Sequence, residues 1–208
     1  MVESRREQAK EERRDRIRAA ADQLIRERGD TEFSMRELAD TAGVAFATPF
    51  NLFESKEGLL ASLFADRILP RQVALASAPL DPDPVAHVIA FTGEAFGTYT
   101  EDDELFGPLL QAVIAPGSPS EGRPLEAATE FWTRCLEPAR DAGLLRPDAD
   151  DPRLDRALHL AFRGALLCWA RGEVTAEEGR DDVQFAVRSI LAGSLVDEAR
   201  ARATAASV

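Results

Sequence analysis

Side chains suited to enzymatic or metal chemistry are few in this chain of 208 residues, and they are widely spaced. His87 and His159 lie far apart, and neither belongs to an HExxH pattern. The sequence contains neither a GxSxG elbow nor a glycine-rich phosphate loop. The acidic run Glu101–Glu104 is chemically suited to a hard cation, but acids at a helix start also favour the helix dipole, so we expect a solvated cap. We therefore predict no catalytic residue, no metal site and no cofactor.

The cysteines and the apolar runs indicate a protein of a reducing compartment. Cys135 and Cys168 lie within apolar helical patterns, which favours core thiols over a disulfide. No apolar run approaches the roughly 18 residues of a membrane helix, and the charged N-terminus lacks the apolar core of a signal peptide. The sequence predicts a cytoplasmic location and no membrane partner.

The stretch from Ser34 to Phe53 has the pattern of two short helices joined by a tight turn. Ser34 and Glu37 have the spacing of a capping box, in which each side chain satisfies an amide at the helix start. Gly43 interrupts the helical pattern where the chain must reverse within a few residues, as in a helix-turn-helix. A second helix is expected from about Ala45 to Phe53, with its outer side available to a DNA major groove.

Helices on either side must hold this pair in place. The preceding helix carries an apolar stripe that we expect to pack behind the pair, and Gly29 should end that helix. The stripe consists of Ile17, Ala20, Ala21, Leu24 and Ile25. Ser55 is expected to cap the next helix, which Pro70 should kink or end.

The charge of the chain permits DNA binding without establishing it. The net charge is −12, but residues 1–18 carry seven Arg and Lys against five Asp and Glu. Residues 1–14 are predicted to be a mobile arm or a helical extension. A solvated helix start is the favoured interpretation; a DNA-tracking arm is the alternative. The arm would use Arg5, Arg6, Lys10, Arg13 and Arg14.

The remaining pattern is helical throughout, so the predicted fold is all-α with about nine helices. Asp83-Pro84 and Asp151-Pro152 are typical helix starts, and Thr175 with Glu178 forms a second capping box. We expect a helix-turn-helix DNA-binding domain over residues 1–54 and a second helical domain over residues 55–208. The family resemblance described next implies that this second domain binds a ligand and dimerises.

At this point the sequence resembles the TetR/AcrR-type bacterial transcriptional regulators, most closely over residues 14–64. The resemblance is carried by Ser34–Ala39, Ala42–Val44, Thr48, Phe53 and Ser55–Glu57 with Leu59 and Leu60. It implies a homodimer that binds a double-stranded DNA operator and a small-molecule effector, with repression as the commoner mode. The alternative is a ligand-binding or interaction protein of the same fold that has lost sequence-specific DNA binding.

The resemblance also implies roles for individual residues. Arg36 would contact guanine or phosphate, and Thr48 would contact phosphate or a base. Ser34 and Lys56 would contact phosphate. The sequence departs from the family pattern at Ala45 for serine, Phe50 for tyrosine, Leu52 for histidine and Pro49 for an aliphatic residue. Pro49 deletes an amide within a very short helix.

No residue from Ala45 to Phe53 is charged, so direct base readout would depend on few contacts. Asn51 can pair with adenine, and Phe46 and Ala47 can contact thymine methyl groups. We therefore predict that Arg36 and the shape of the DNA supply much of the specificity.

The chain beyond residue 55 supplies candidates for effector binding and for dimerisation. The effector candidates are aromatic side chains with a few polar ones: His87, Phe91, Phe96, Tyr99, Phe106, Phe131, Trp132, His159, Phe162, Arg163 and Trp169. The dimer candidates lie on the last two helices: Leu158, Ala161, Ala165, Val187, Ile190, Leu191 and Ser194. Packing of both sets within a single chain is the alternative interpretation.

Overall fold

The structure, a computed structural model, describes residues 2–76, 81–114, 123–149 and 151–197. These residues form the nine helices α1 Val2–Arg28, α2 Met35–Thr41, α3 Ala47–Phe53, α4 Lys56–Ala76, α5 Pro84–Thr100, α6 Asp103–Ile114, α7 Arg123–Asp141, α8 Pro152–Ala170 and α9 Ala176–Ser194. Within the same ranges, β-type pairing is limited to an isolated bridge between Leu145 and Leu195. The predicted all-α fold is confirmed.

Among the helices that the structure describes, none offers an apolar stretch of the length that a bilayer crossing needs.

The chain divides into two compact units. The first comprises Met1–Pro70 and Asp102–Glu121, and the second comprises Arg71–Glu101 and Gly122–Val208. This division follows packing and does not test the functional boundary between residues 54 and 55, which stays a prediction.

The core of the first unit lies behind α2 and α3. The predicted α1 stripe is buried there, with Ile17, Ala21 and Ile25 fully inaccessible to solvent. It packs with Phe33 and Leu38, as expected from the sequence. Further apolar side chains come from α4 and α6: Leu59, Leu60, Leu63, Leu105, Leu109 and Val113.

The two predicted capping boxes have different outcomes. At α9, Thr175 and Glu178 form both reciprocal hydrogen bonds. At α2, Ser34 Oγ accepts a hydrogen bond from the Glu37 amide at 3.1 Å, but the Glu37 carboxylate pairs with the Arg28 guanidinium. The prediction of a full box at α2 is therefore wrong, because a cation from the end of α1 competes for that carboxylate.

Pro70 does not end α4, which continues to Ala76. Proline removes one helical hydrogen bond and frees a carbonyl one turn earlier. Pro70 is exposed, so water can reach this side of the helix. Pro84 and Pro152 each stand at a helix start behind a capping aspartate, as predicted.

In the second unit α9 packs against α5 and α8, while α7 packs against α5 and α8. The crossing of α5 and α9 is close, since a Cβ atom on Gly179 would lie 2.7 Å from Phe96 Cζ. Helix α9 ends where Leu195 becomes extended and pairs beside the turn after α7.

Candidate functional site

The second helix of the helix-turn-helix begins later than its sequence indicates. The helix starts at Ala47, preceded by Phe46 in a helical backbone conformation without a side-chain cap. The Thr48 amide donates to the Ala45 carbonyl at 2.8 Å, which makes the first turn tight. Ala45 is exposed and precedes the helix, so the predicted start at this residue is two positions early.

Pro49 costs this helix less than the sequence indicated. It is the third residue of α3, where backbone amides have no acceptor within the helix. The amide that proline lacks would therefore have made no intrahelical hydrogen bond. The ring is buried together with Phe53, and these two side chains form the inward side of α3. The expectation that Phe53 belongs to the core is confirmed.

The outward side of α3 is apolar and exposed. Phe46 is 51% exposed and Phe50 is 40% exposed, and their rings meet edge to face at 5.5 Å. Ala47 and Asn51 are also exposed, whereas Thr48 and Leu52 are half-buried. The side chains predicted to read bases therefore lie on the accessible surface of the head.

Arg36 connects α2 to this surface. Its guanidinium lies over the Phe46 ring, 5.1 Å from the centroid, and the side chain is exposed. A cation–π contact at an exposed site contributes about 0.5–1 kcal/mol, enough to bias the rotamer without fixing it. This contact was not predicted. The sequence signal that could have indicated it is an arginine close in sequence to the aromatic residues of α3. Arg36 thus brings a positive charge beside a helix that has none.

The predicted phosphate contacts of Ser34 and Lys56 stay predictions. Ser34 Oγ already caps α2. Lys56 is the first residue of α4, and its Nζ lies 4.9 Å from the centroid of the Phe33 ring. Ser55 caps α4 as predicted, since its Oγ accepts from the Gly58 amide at 3.1 Å. The helix start lowers the pKa of the Glu57 carboxyl through its own amide and then through Ser55.

The junction between α3 and α4 was not predicted. Glu54 has a φ of +67°, and the Ser55 amide donates to the Phe53 carbonyl at 2.7 Å, forming a γ-turn. A Cβ atom on Gly58 would lie 2.3 Å from the Phe53 carbonyl oxygen. A glycine in the first turn of a regular helix was the only sequence signal. This close approach fixes the position of α3 against the start of α4.

An ion network, also absent from the sequence-based prediction, ties α1 to α4 and α6 within the first unit. Asp102 accepts two hydrogen bonds from Arg26, at 2.7 and 2.9 Å. Arg26 and Arg67 both pair with Asp22, at 2.6 and 2.9 Å. The Asp102 carboxylate, with the nearby Asp22, raises the pKa of Arg26. Asp102 is therefore not the solvated cap predicted for it.

The effector candidates separate between the two units. Phe106 belongs to the first unit, where it is buried and lies edge to face with Phe64 at 6.0 Å. The other aromatic candidates belong to the second unit, where successive rings from α5, α7 and α8 contact one another at centroid distances of 5.2–6.3 Å. This aromatic cluster consists of Phe91, Phe96, Tyr99, Phe131, Trp132, Phe162 and Trp169. The assignment of these aromatic residues to effector binding stays a prediction.

The polar effector candidates have different surroundings. The His87 ring accepts a hydrogen bond from the Asp81 amide at 3.2 Å, so it supports the start of α5. The Tyr99 hydroxyl accepts from Gln72 at 3.3 Å, and burial raises its pKa to about 12. His159 is buried, and its Nδ1 has no hydrogen-bond partner among the described residues. Burial and then the nearby Arg163 charge lower the pKa of His159.

The dimer candidates are mostly turned inward. Leu158, Val187, Leu191 and Ser194 are buried within the chain, while Ala161, Ala165 and Ile190 are half-buried. The buried four face their own chain because the periodic stripe on each helix is the one that fills the core. The large apolar side chains exposed on the same helices are Leu160, at 53%, and Phe185, at 69%.

Comparison with known proteins agrees with the geometry of the head. Residues 17–63 match the sequence model of the family described as bacterial regulatory proteins, tetR family. The chain is 29% identical over 179 residues to uncharacterized HTH-type transcriptional regulators of Mycobacterium tuberculosis and Mycobacterium bovis, covering 86% of this chain and 80% of each relative.

Two solved structures are similar over most of the chain. One is a TetR transcriptional regulator from Rhodococcus sp. RHA1, with 25% identity, a TM-score of 0.65 and coverage of 89% of this chain and 97% of that one. The other is Thermus thermophilus FadR, a TetR-family transcriptional repressor in complex with lauroyl-CoA. It has 26% identity and a TM-score of 0.66, with coverage of 88% and 95%.

Proposed function

Since the chain belongs to the TetR family of bacterial transcriptional regulators, we propose that it binds a palindromic DNA operator as a homodimer and is released by a small, mainly apolar effector. Members of this family are regulators of transcription and not enzymes. We propose repression as its mode, because the Thermus thermophilus relative is a repressor. The cytoplasm is the location that such a function requires.

The outward surface of α2 and α3 carries the proposal. It combines an exposed guanidinium on Arg36, an exposed amide on Asn51 and two exposed aromatic rings. A guanidinium can bind guanine in the major groove, a carboxamide can bind adenine, and apolar side chains can contact thymine methyl groups. Because α3 has no charge, Arg36 is the first candidate for specificity, with DNA shape contributing the rest.

An electrophoretic shift series on the DNA that flanks the coding region, followed by footprinting, tests this function. Arg36→Ala should weaken specific binding by about 1–3 kcal/mol and relax the preference at one position of each half-site. Asn51→Ala should relax the preference elsewhere, whereas Arg134→Ala, a change of an exposed arginine on α7, should leave it intact. Unchanged preference in both head variants would overturn this mode of base readout. Absence of salt-dependent binding by the wild type would favour the ligand-binding alternative.

The dimer proposal now involves residues other than the predicted stripe. Two linked heads bind two half-sites with a much higher effective concentration than one head alone. Leu160 and Phe185 are exposed apolar side chains on α8 and α9, the helices proposed for the four-helix seam. Sedimentation at micromolar concentration should give a dimer, and Phe185→Glu should shift it toward the monomer.

The aromatic cluster of the second unit is the proposed effector site. It offers an apolar lining, with His87, Tyr99, His159 and Arg163 as the predicted polar groups, and the centroids of the His87 and Phe91 rings lie 5.7 Å apart. The lauroyl-CoA complex of the Thermus thermophilus relative supports an effector with an apolar part. Because the rings are in mutual contact, effector entry would require some of them to change rotamer.

A further inference from the structure

The N-terminal half of α1 separates its charges onto opposite sides. At 3.6 residues per turn, the cations between residues 5 and 16 occupy one half of the helix circumference, and the acids occupy the other. The basic side, as named here, consists of Arg5, Arg6, Lys10, Arg13, Arg14 and Arg16. The acidic side consists of Glu7, Glu11, Glu12 and Asp15. This part of α1 therefore has one positively charged face and one negatively charged face, which its amino-acid composition alone does not reveal.

The acidic side is anchored to the head by a buried arginine. Arg18 is 9% exposed and donates to Asp15 at 2.6 Å, and it also pairs with Glu11. The same guanidinium donates to Ser62 Oγ at 3.2 Å and lies 3.7 Å from Asp66, both on α4. These contacts neutralise acids of α1 and fix the rotation of the helix against α4. The basic side is consequently left to face elsewhere.

The basic side faces the end of α3. The Arg14 guanidinium lies 4.8 Å from the centroid of the Phe53 ring, on the inward side of α3. Nearer the N-terminus, a groove forms between α1 and Leu52, the half-buried residue beside exposed Asn51. Its lining is mainly cationic: Arg5, Arg6, Lys10 and Arg13, with Glu7, Ala9 and Leu52. Glu7 offsets part of this charge, with its carboxylate 3.9 Å from Lys10 Nζ.

We propose that the basic side of α1 binds the phosphate backbone of the DNA duplex that α3 enters. This inference rests on the proposed function, since it assumes that α3 lies in a major groove. A helix without charge contributes no counterion release, and cations beside it supply that term without reading sequence. Base reading and backbone attraction are thereby assigned to different helices, α2 with α3 for the bases and α1 for the phosphates.

The experiment compares two variants of equal charge with the full-length wild type. The test variant carries Arg6→Gln, Lys10→Gln and Arg13→Gln; the control carries Arg134→Gln, Arg153→Gln and Arg171→Gln, all at exposed positions. Each phosphate contact removed should reduce the slope of log affinity against log salt by about 1. The test variant should therefore bind roughly a hundredfold or more weakly at about 0.1 M salt and converge with the wild type near 1 M.

Ethylation interference on the same operator locates the contacts. The test variant should lose interference at specific phosphates and keep the base preference of the wild type, while the control should match the wild type in both. If the test variant, shown to be folded by circular dichroism, keeps the wild-type salt slope, the proposed role of α1 is wrong even though the protein binds DNA. If the salt slope of the control falls as much as that of the test variant, the effect reflects the net charge of the protein and not the position of the cations, and the proposal also fails. If the wild type binds no DNA, the proposed function itself fails.

Discussion

Aromatic side chains serve opposite purposes in the two units. In the head, Phe46 and Phe50 point outward, and an arginine from the neighbouring helix covers one of the rings. In the second unit the aromatic cluster points inward, and its rings mostly contact one another. The face of the helix that an aromatic residue occupies decides between surface and core, since Phe53 on α3 is buried and Phe185 on α9 is exposed. A seven-residue helix cannot bury four large side chains, whereas a helix of 17 to 19 residues has a whole face to cover.

The largest expected effect comes from removing one ring from each set. Trp132→Ala should lower the free energy of unfolding by about 3–5 kcal/mol, because the indole is fully buried between Phe131 and Phe162. Phe50→Ala, the matched change at an exposed ring, should alter stability by less than about 1 kcal/mol and weaken DNA binding instead. Urea denaturation of both variants checks this contrast. Similar losses of stability in both would break the distinction between an outward and an inward set.

A smaller effect should follow from filling the tight junction behind α3. Gly58→Ala should cost about 1–3 kcal/mol, since the new methyl group would meet the fixed Phe53 carbonyl oxygen. Gly164→Ala on α8 is the control: its added Cβ would meet no atom within 4 Å, so it should be neutral or stabilising by up to about 1 kcal/mol. For Gly58→Ala, the melting temperature and the operator affinity should both fall. Equal melting temperatures and affinities of the two variants would mean that the junction can rearrange to accept the added methyl group.

The smallest expected effect concerns His159, near the aromatic cluster. Burial lowers its pKa in the folded state, so the unfolded chain takes up a proton first as the pH falls below about 6.5. The corresponding stability is fully present above that pH and is lost as the pH falls through the lower folded pKa. His159→Gln should flatten the dependence of the melting temperature on pH between pH 8 and pH 5. A steeper profile in His159→Gln would contradict the assignment.

Much of the fold was predictable because local signals agreed. The α1 stripe, the Asp–Pro helix starts and the α9 capping box depend on neighbours within a few residues, and all are confirmed. Two of the failures share a cause, which is competition from a side chain on another helix. Arg28 takes the Glu37 carboxylate, and Arg26 takes Asp102.

The candidate site was predictable by residue type but not by arrangement. Arg36, Phe46 and Asn51 lie on the accessible surface that their pattern indicated. The stacking of Arg36 on Phe46 and the position of the α1 cations beside α3 could not be predicted from the sequence. Each depends on how two helices are rotated about their axes.

Pro49 gives α3 a property that its neighbours cannot supply. An isolated helix of seven residues is far below the roughly 12–15 residues at which helices become marginally stable in water. The pyrrolidine ring of Pro49 fixes one φ angle near its helical value, so the α3 segment samples fewer conformations in the free protein. In the proposed DNA complex, less conformational entropy would then be lost on binding, so a part of the affinity should come from order already present in the free protein.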